Sequence, residues 1–171
     1  MGIVDGLLRL SEVQRFALPP GAVASLTACA RSAAEALGCA EEQVRIAAMP
    51  DIAGDEGLLT SLFSNLLSNA LKYSDKAEPG IEVRCAADEA GLTVWVDDDG
   101  PGLPVGEEER IFEPLERGTA STGVDGHGIG LALCRAVAET YESNNTLEDR
   151  TNALSLLIAI TPEMVAAYDV P

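Results

Sequence analysis

The sequence lacks any unbroken run of about eighteen apolar residues, and its N-terminus has no basic stretch leading into an apolar block and a small-residue cleavage site. A membrane span and a secretory leader are therefore not read in these residues, and the expectation is a cytoplasmic domain without direct membrane contact, whose parent protein is free to be membrane-anchored. Basic residues are scarce: 11 Lys and Arg stand against 28 Asp and Glu, a formal net charge of −17. Such a field repels a phosphate backbone or an anionic lipid surface, so nucleic acid is not expected as a partner. The acidity serves solubility, adaptation to salt, or docking on a basic face; composition alone does not choose among these. Cysteines number four, at 29, 39, 85 and 134, with no C-x-x-C pair, which reads as reduced core residues rather than a metal site or disulfide framework. No internal repeat and no low-complexity tract appears. What remains, 171 residues of which 47% are hydrophobic, suits one well-buried core.

Apolar residues at Ile3, Val4, Leu7, Leu8, Leu10, Val13 and Phe16 follow a helical period until Pro19 and Pro20 interrupt it. Residues 1–20 thus read as a helix and linker, and 21–171 as the main domain. An alanine-rich stretch, 22–37, predicts a second helix, and 43–49 a strand ending at Pro50. Between Asp55 and Tyr73 the pairs Leu58/Leu59, Leu62/Phe63, Leu66/Leu67 and Ala70/Leu71 recur every four residues, one buried face of a long helix. Alternation over 81–87 and 92–96 predicts a hairpin. A Gly-, Pro- and Thr-rich stretch from 98 to 128 holds a short helical piece near 107–112, and loops of that length are usually functional. A helix from Ile129 to about Tyr141 and strands at 146–148 and 153–161 complete the reading.

Three clusters carry chemistry. On the long helix, Asn65, Asn69 and Lys72 share a stripe beside the apolar face; a carboxamide oxygen is a hard, neutral ligand suited to Mg²⁺, and a lysine nearby offsets phosphate charge. Directly after a strand comes Asp97-Asp98-Asp99-Gly100-Pro101-Gly102, where a carboxylate on a glycine turn can accept the exocyclic N–H of adenine. Gly126-His127-Gly128-Ile129-Gly130-Leu131 opens a helix, whose free N–H groups attract anions. Each alone has an ordinary explanation: a polar helix edge, a turn ending a strand, a flexible hinge. A dinucleotide-binding reading of the glycines fails because no strand precedes them.

Taken in order, N-x-x-x-N-A-x-K-Y, then D-x-G-P-G, then Ile111-Phe112-Glu113-Pro114 with Arg117, then G-x-G-x-G-L, the chain resembles the histidine-kinase branch of the Bergerat-fold ATPases, closely over 55–133. The resemblance implies an α/β two-layer sandwich: a mixed, mostly antiparallel sheet with helices on one face and a mobile ATP lid between Pro114 and Gly126. It implies that Asn69 ligates Mg²⁺, that Lys72 and Arg117 approach the phosphates, and that Tyr73 flanks the adenine read by Asp98. Gly100 and Gly102 would shape the floor, Phe112 the box before the lid, and Gly126, Gly128, Gly130 and Leu131 the phosphate loop. Hydrolytic members of the wider family carry a glutamate base four residues before the metal asparagine; here that position is Asn65, an amide that takes no proton from water, so ATP would be kept for transfer.

The function implied is that of the catalytic domain of a two-component sensor kinase. It would pass the γ-phosphoryl of Mg²⁺-ATP to a histidine on a phosphoacceptor (dimerisation) domain, with a response regulator downstream; residues 1–20 then read either as a remnant of that domain or as a simple N-terminal packing helix. His127, the single histidine, lies in the glycine loop and reads as an accessory phosphate contact. An anti-sigma-type serine kinase and a nucleotide-binding docking module without transfer are the rival readings. Two departures stand out. Tyr141-Glu142-Ser143-Asn144-Asn145 replaces the usual His-Gly-Gly turn, and Thr151-Asn152-Ala153-Leu154-Ser155 replaces a G-x-G-T segment whose threonine often supports the adenine contact.

Overall fold

The computed structural model describes residues 3–88, 91–102, 106–107, 109–116, 128–144 and 154–156. Its elements are α1 (Ile3–Val13), β1 (Val23–Ser25), α2 (Leu26–Ala36), β2 (Val44–Ile46), β3 (Asp51–Ala53), α3 (Glu56–Tyr73), β4 (Ile81–Asp88), β5 (Gly91–Asp98), a 3-10 turn at Arg110–Phe112, α4 (Gly130–Asn144) and β6 (Leu154–Leu156). Four strands form one sheet in the order β2-β4-β5-β6, and β1 pairs with β3 in a small separate ladder. The sheet is mixed: β4 and β5 form the long antiparallel hairpin, Ile81 opposite Asp98 through Asp88 opposite Gly91, while β2 joins β4 and β6 joins β5 in parallel.

The α3 helix forms the centre of the core. Its four-residue apolar recurrence buries Leu59, Leu62, Phe63, Leu66, Leu67 and Ala70 on one face. Each large aliphatic or aromatic side chain so buried contributes about 1.5–3 kcal/mol. Asp55 begins the helix as its N-cap, its Oδ1 accepting the Leu58 N–H at 2.8 Å. On β4 and β5 the inward residues Ile81, Val83, Leu92, Val94 and Val96 meet this core. The opposite face carries Arg84, whose guanidinium lies 4.6 Å from the Trp95 ring centroid and whose Nε donates to Asp97 Oδ2 at 3.0 Å.

The hairpin, the long helix and the last helix stand where the periodicity placed them. Two short strands do not. Residues 23–25, expected as the start of a helix over 22–37, extend instead and pair with 51–53, so α2 begins at Leu26. The strand expected over 43–49 is confined to 44–46; beyond it Thr27 Oγ1 holds both the N–H and the carbonyl of Met49, a contact that turns the chain toward β3. The expected strand at 146–148 lies outside the described residues, and of 153–161 only 154–156 is described, as β6. Cys29 and Cys134 are buried, Cys39 and Cys85 half-buried, and all are free thiols.

Helix α1 packs along α4. Gly6 is buried against Ile129, so close that a methyl at position 6 would stand 2.8 Å from Ile129 Cδ1, and the Thr140 hydroxyl donates to the Val13 carbonyl at 3.3 Å. Ile3, Val4, Leu7 and Leu8 of the same helix face outward. Among the described residues, no helix is long and apolar enough to cross a membrane.

Candidate functional site

Three stretches named by the sequence converge around α3. Midway along it, the Asn65 carboxamide nitrogen donates to the Ser61 carbonyl at 2.9 Å, which turns its oxygen outward. That oxygen faces the first residue of α4: a methyl on Gly130 would lie 3.1 Å from Asn65 Oδ1, a tight contact that the carboxamide would have to yield to. Asn69 follows one turn later, half-buried, and its carboxamide makes no hydrogen bond among the described residues. Lys72 and Tyr73 complete the stripe and are exposed at the helix end.

At that end the Asp97–Gly102 turn comes against the chain. Asp98 closes β5 and is half-buried, with Oδ1 accepting the Gly100 N–H at 2.8 Å. A methyl on Gly100 would meet this oxygen at 2.8 Å and the Tyr73 carbonyl at 3.5 Å, so the turn and the C-terminus of α3 share one wall. Burial pushes the Asp98 carboxyl above the usual aspartate range; the Gly100 N–H opposes the shift, and the charges of Asp99 and Asp97 add to it. Its neighbour Asp99 moves the other way, held below the usual range chiefly by a hydrogen bond from Lys76, whose Nζ stands 2.9 Å from Asp99 Oδ2. Gly102 takes φ +75°, a conformation that the end of this turn requires.

The third wall is the entry to α4. Gly128 has φ +66°, and a methyl there would fall 2.5 Å from the Glu116 carbonyl oxygen. The Gly128 carbonyl in turn accepts the N–H of Leu115 at 2.9 Å, and Leu115 itself holds a left-handed φ of 68°. Residues 115–116 and 128 are thereby clipped together. Phe112, half-buried in the 3-10 turn, receives the Arg135 guanidinium of α4 at 5.0 Å from its ring centroid. Leu131 packs on the core from the first turn of α4. Arg117, Gly126 and His127 lie outside the described residues, as does most of the expected lid.

Sequence reasoning missed four contributors. Lys76 anchors the aspartate turn, Arg135 steadies the phenylalanine turn, Leu115 clips the glycine entry, and Tyr141 accepts the Asp55 N–H at 2.9 Å. Tyr141 had a signal, since it occupies the first position of the altered turn; the others depend on tertiary approach that no spacing encodes.

The donor set is chemically apt for a nucleotide with a hard cation. It offers a neutral carboxamide oxygen without a hydrogen-bond partner among the described residues, a lysine one turn away, a half-buried carboxylate acceptor, and a helix start built on glycine. Among the described residues, no group of three or more His, Cys, Asp or Glu side chains could hold a metal by itself.

Residues 54–157 match the family described as histidine kinase-, DNA gyrase B- and HSP90-like ATPases. The sensor protein KdpD of Escherichia coli K12 is 36% identical over 113 residues, 66% of this chain and 12% of KdpD, so the chain spans a small part of that relative. Full-length ShkA in complex with AMPPNP superposes with a TM-score of 0.61 at 26% identity, over 81% of this chain and 30% of that one. The mycobacterial sensor histidine kinase MprB gives 0.60 at 24% identity over 70% and 80%, a likeness of fold. A mixed sheet backed by helices, a carboxamide stripe, a glycine-turn aspartate and a glycine-built helix start, with more than half of the chain matched, place this chain in the histidine kinase-, DNA gyrase B- and HSP90-like ATPase family.

Proposed function

We propose that this chain is the ATP-binding catalytic domain of a sensor histidine kinase, and that it holds Mg²⁺-ATP while a histidine on a phosphoacceptor domain attacks the γ-phosphorus. The observation that carries the reading is the α3 stripe. Asn65 and Asn69, both amides, stand half-buried on one stripe of α3, Asn65 where α3 meets the glycine start of α4. The amide at position 65 does not itself deprotonate water. The acceptor nitrogen forms the new P–N bond, the bond to the β-phosphate oxygen breaks, and ADP leaves with the electron pair. Mg²⁺, when bound, would be held by Asn69 and supply charge neutralisation between the phosphates.

The chain's own residues orient and screen. Asp98, ionised, accepts the exocyclic N–H of adenine; Tyr73 flanks the ring; Gly100 and Gly102 let the base lie close to the backbone. Lys72 and Arg117 offset phosphate charge, and Gly126, His127, Gly128, Gly130 and Leu131 line the phosphate side at the start of α4. Phe112 supports that side from its turn. Residues 1–20, with α1 exposing Ile3, Val4, Leu7 and Leu8, fit the end of the phosphoacceptor domain, whose apolar packing would continue over these side chains. A response regulator would take the phosphoryl onward, and the domain would work in the cytoplasm. The similar proteins KdpD, a sensor protein, and ShkA, in complex with AMPPNP, support this reading.

Calorimetric titration with ATP, with and without Mg²⁺, tests binding; labelled ATP mixed with the cognate phosphoacceptor domain tests transfer. Asn69→Ala is expected to keep the fold and abolish the gain in affinity that Mg²⁺ brings. Binding without transfer would instead support a docking module.

A further inference from the structure

Helices α3 and α4 run antiparallel and touch at three levels. Gly130 lies against Asn65, the Cys134 thiol points to the Leu62 carbonyl at 3.9 Å, and the Tyr141 hydroxyl receives the Asp55 N–H at 2.9 Å. The first is van der Waals contact and the second a weak sulfur contact. Around them, Leu59, Leu62 and Leu66 of α3 and Leu133 and Val137 of α4 all belong to the buried aliphatic core. Apolar contact opposes separation but is non-directional, so similar side chains resist a slide or a roll of one helix on the other only weakly. The Tyr141–Asp55 hydrogen bond is of ordinary length but directional, and Tyr141 is only 4% exposed.

The surroundings are shaped around that hydroxyl. A methyl on Gly54 would stand 2.9 Å from it, so glycine is what admits the ring end. Asp55 is also the N-cap of α3, which means that one residue fixes where α3 begins and where α4 is fastened. Burial pushes the Tyr141 phenol up to about 12, with the Asp55 N–H opposing and the Asp55 and Cys29 charges adding, so the group stays a neutral hydroxyl at any ordinary pH.

We infer that Tyr141 is a positioning residue: it sets the register of α4 against α3, and so fixes where the glycine start of α4 stands relative to Asn65 and Asn69 at the far end of the pair. The register claim stands on the contacts above, and its consequence for ATP rests on the function proposed in the preceding subsection. It also gives a role to one of the two sequence departures, since the residue that replaces the first position of the usual His-Gly-Gly turn is the one that fastens the helices.

The test uses the full chain and two variants that attack the fastening from opposite sides, Tyr141→Phe, which removes the hydroxyl, and Gly54→Ala, which displaces it. Val83→Ala serves as control, because it thins the fully buried sheet side of the core from β4 and lies on neither α3 nor α4. Amide hydrogen exchange on the nucleotide-free chain is expected to speed up at residues 128–133 in both variants and to stay at the wild-type rate there in the control. Well below the unfolding temperature, Mg²⁺-ATP affinity is expected to weaken roughly five-fold in both variants, the lower end of ordinary coupling between sites, with no change in the control. Unchanged exchange at 128–133 in Tyr141→Phe, or an equal rise in Val83→Ala, would overturn the inference. Failure of the wild-type chain to bind Mg²⁺-ATP would strike the proposed function alone, and the exchange comparison would still decide the register.

Discussion

The helical wall of the site and the wall made by the end of β5 are held by different physics. Asn65, Asn69 and Gly130 stand on long helices whose adjoining faces are buried, so their positions are fixed by core packing. Asp98 stands on a short turn fixed by polar contacts within a few residues: the Gly100 N–H on Asp98 and the Lys76 ammonium on Asp99. Damage to the first wall should therefore appear as lost stability and lost binding together. Damage to the second should appear as altered recognition in a protein that is still folded.

The largest effect is expected where the helical wall meets the clip. Gly128→Ala places a methyl 2.5 Å from a backbone oxygen at a left-handed φ, and should cost at least about 2 kcal/mol on unfolding while weakening nucleotide binding. Denaturant unfolding and calorimetry on the same preparation check the pairing of the two losses. Next in size, Asp98→Asn should cut the preference for ATP over GTP by about ten-fold with little loss of stability, since an amide cannot serve the same hydrogen-bond pattern as a carboxylate. Competition titrations with both nucleotides read this out.

Acid sharpens the contrast. The folded Asp98 pKa is raised, so its ionised form is lost as pH falls through a value above the usual aspartate range, and base preference should decline earlier than for an exposed aspartate. The Asp98→Asn variant should lack that step. Asp99 is opposite in sign: its folded pKa is lowered, so its contribution to stability is present above the unfolded value and is lost as pH falls through the folded one. A smaller effect, confined to the helical wall, is expected from Asp55→Ala, which removes the N-cap of α3 at about 1 kcal/mol and should leave base preference intact. Smallest of all, Lys76→Ala breaks an exposed ion pair; it should barely move stability at neutral pH and should raise the pH at which Asp99 titrates, measurable by carboxylate NMR.

The helical wall was the more legible of the two in the sequence. The recurrence from Leu58 to Leu71 gave the buried face of α3, and that face alone puts Asn65, Asn69 and Lys72 on a neighbouring stripe. The hairpin was legible for the same reason, since period-two alternation over eight residues is hard to mistake. Strands of three residues, β1 and β3, carry too little alternation to be seen, and β1 was hidden inside an alanine-rich stretch that favours helix until the pairing of Ala24 with Ile52 overrides it. The motifs named Asp98 and Gly128, but not Lys76, Leu115 or Tyr141, whose roles come from approach across long sequence separations. Asp55 and Tyr141 stand 86 positions apart, a distance that no local pattern spans.

The clip between Leu115 and Gly128 has a bearing on how such a domain can change. Because the backbone closes on itself at those two residues, whatever chain joins them is attached to a fixed gate post on either side. Doubling the length of a joining segment costs only about 0.6 kcal/mol in closure entropy. The length of the joining segment is accordingly what can change over evolutionary time at small cost in closure entropy, provided that position 128 remains glycine.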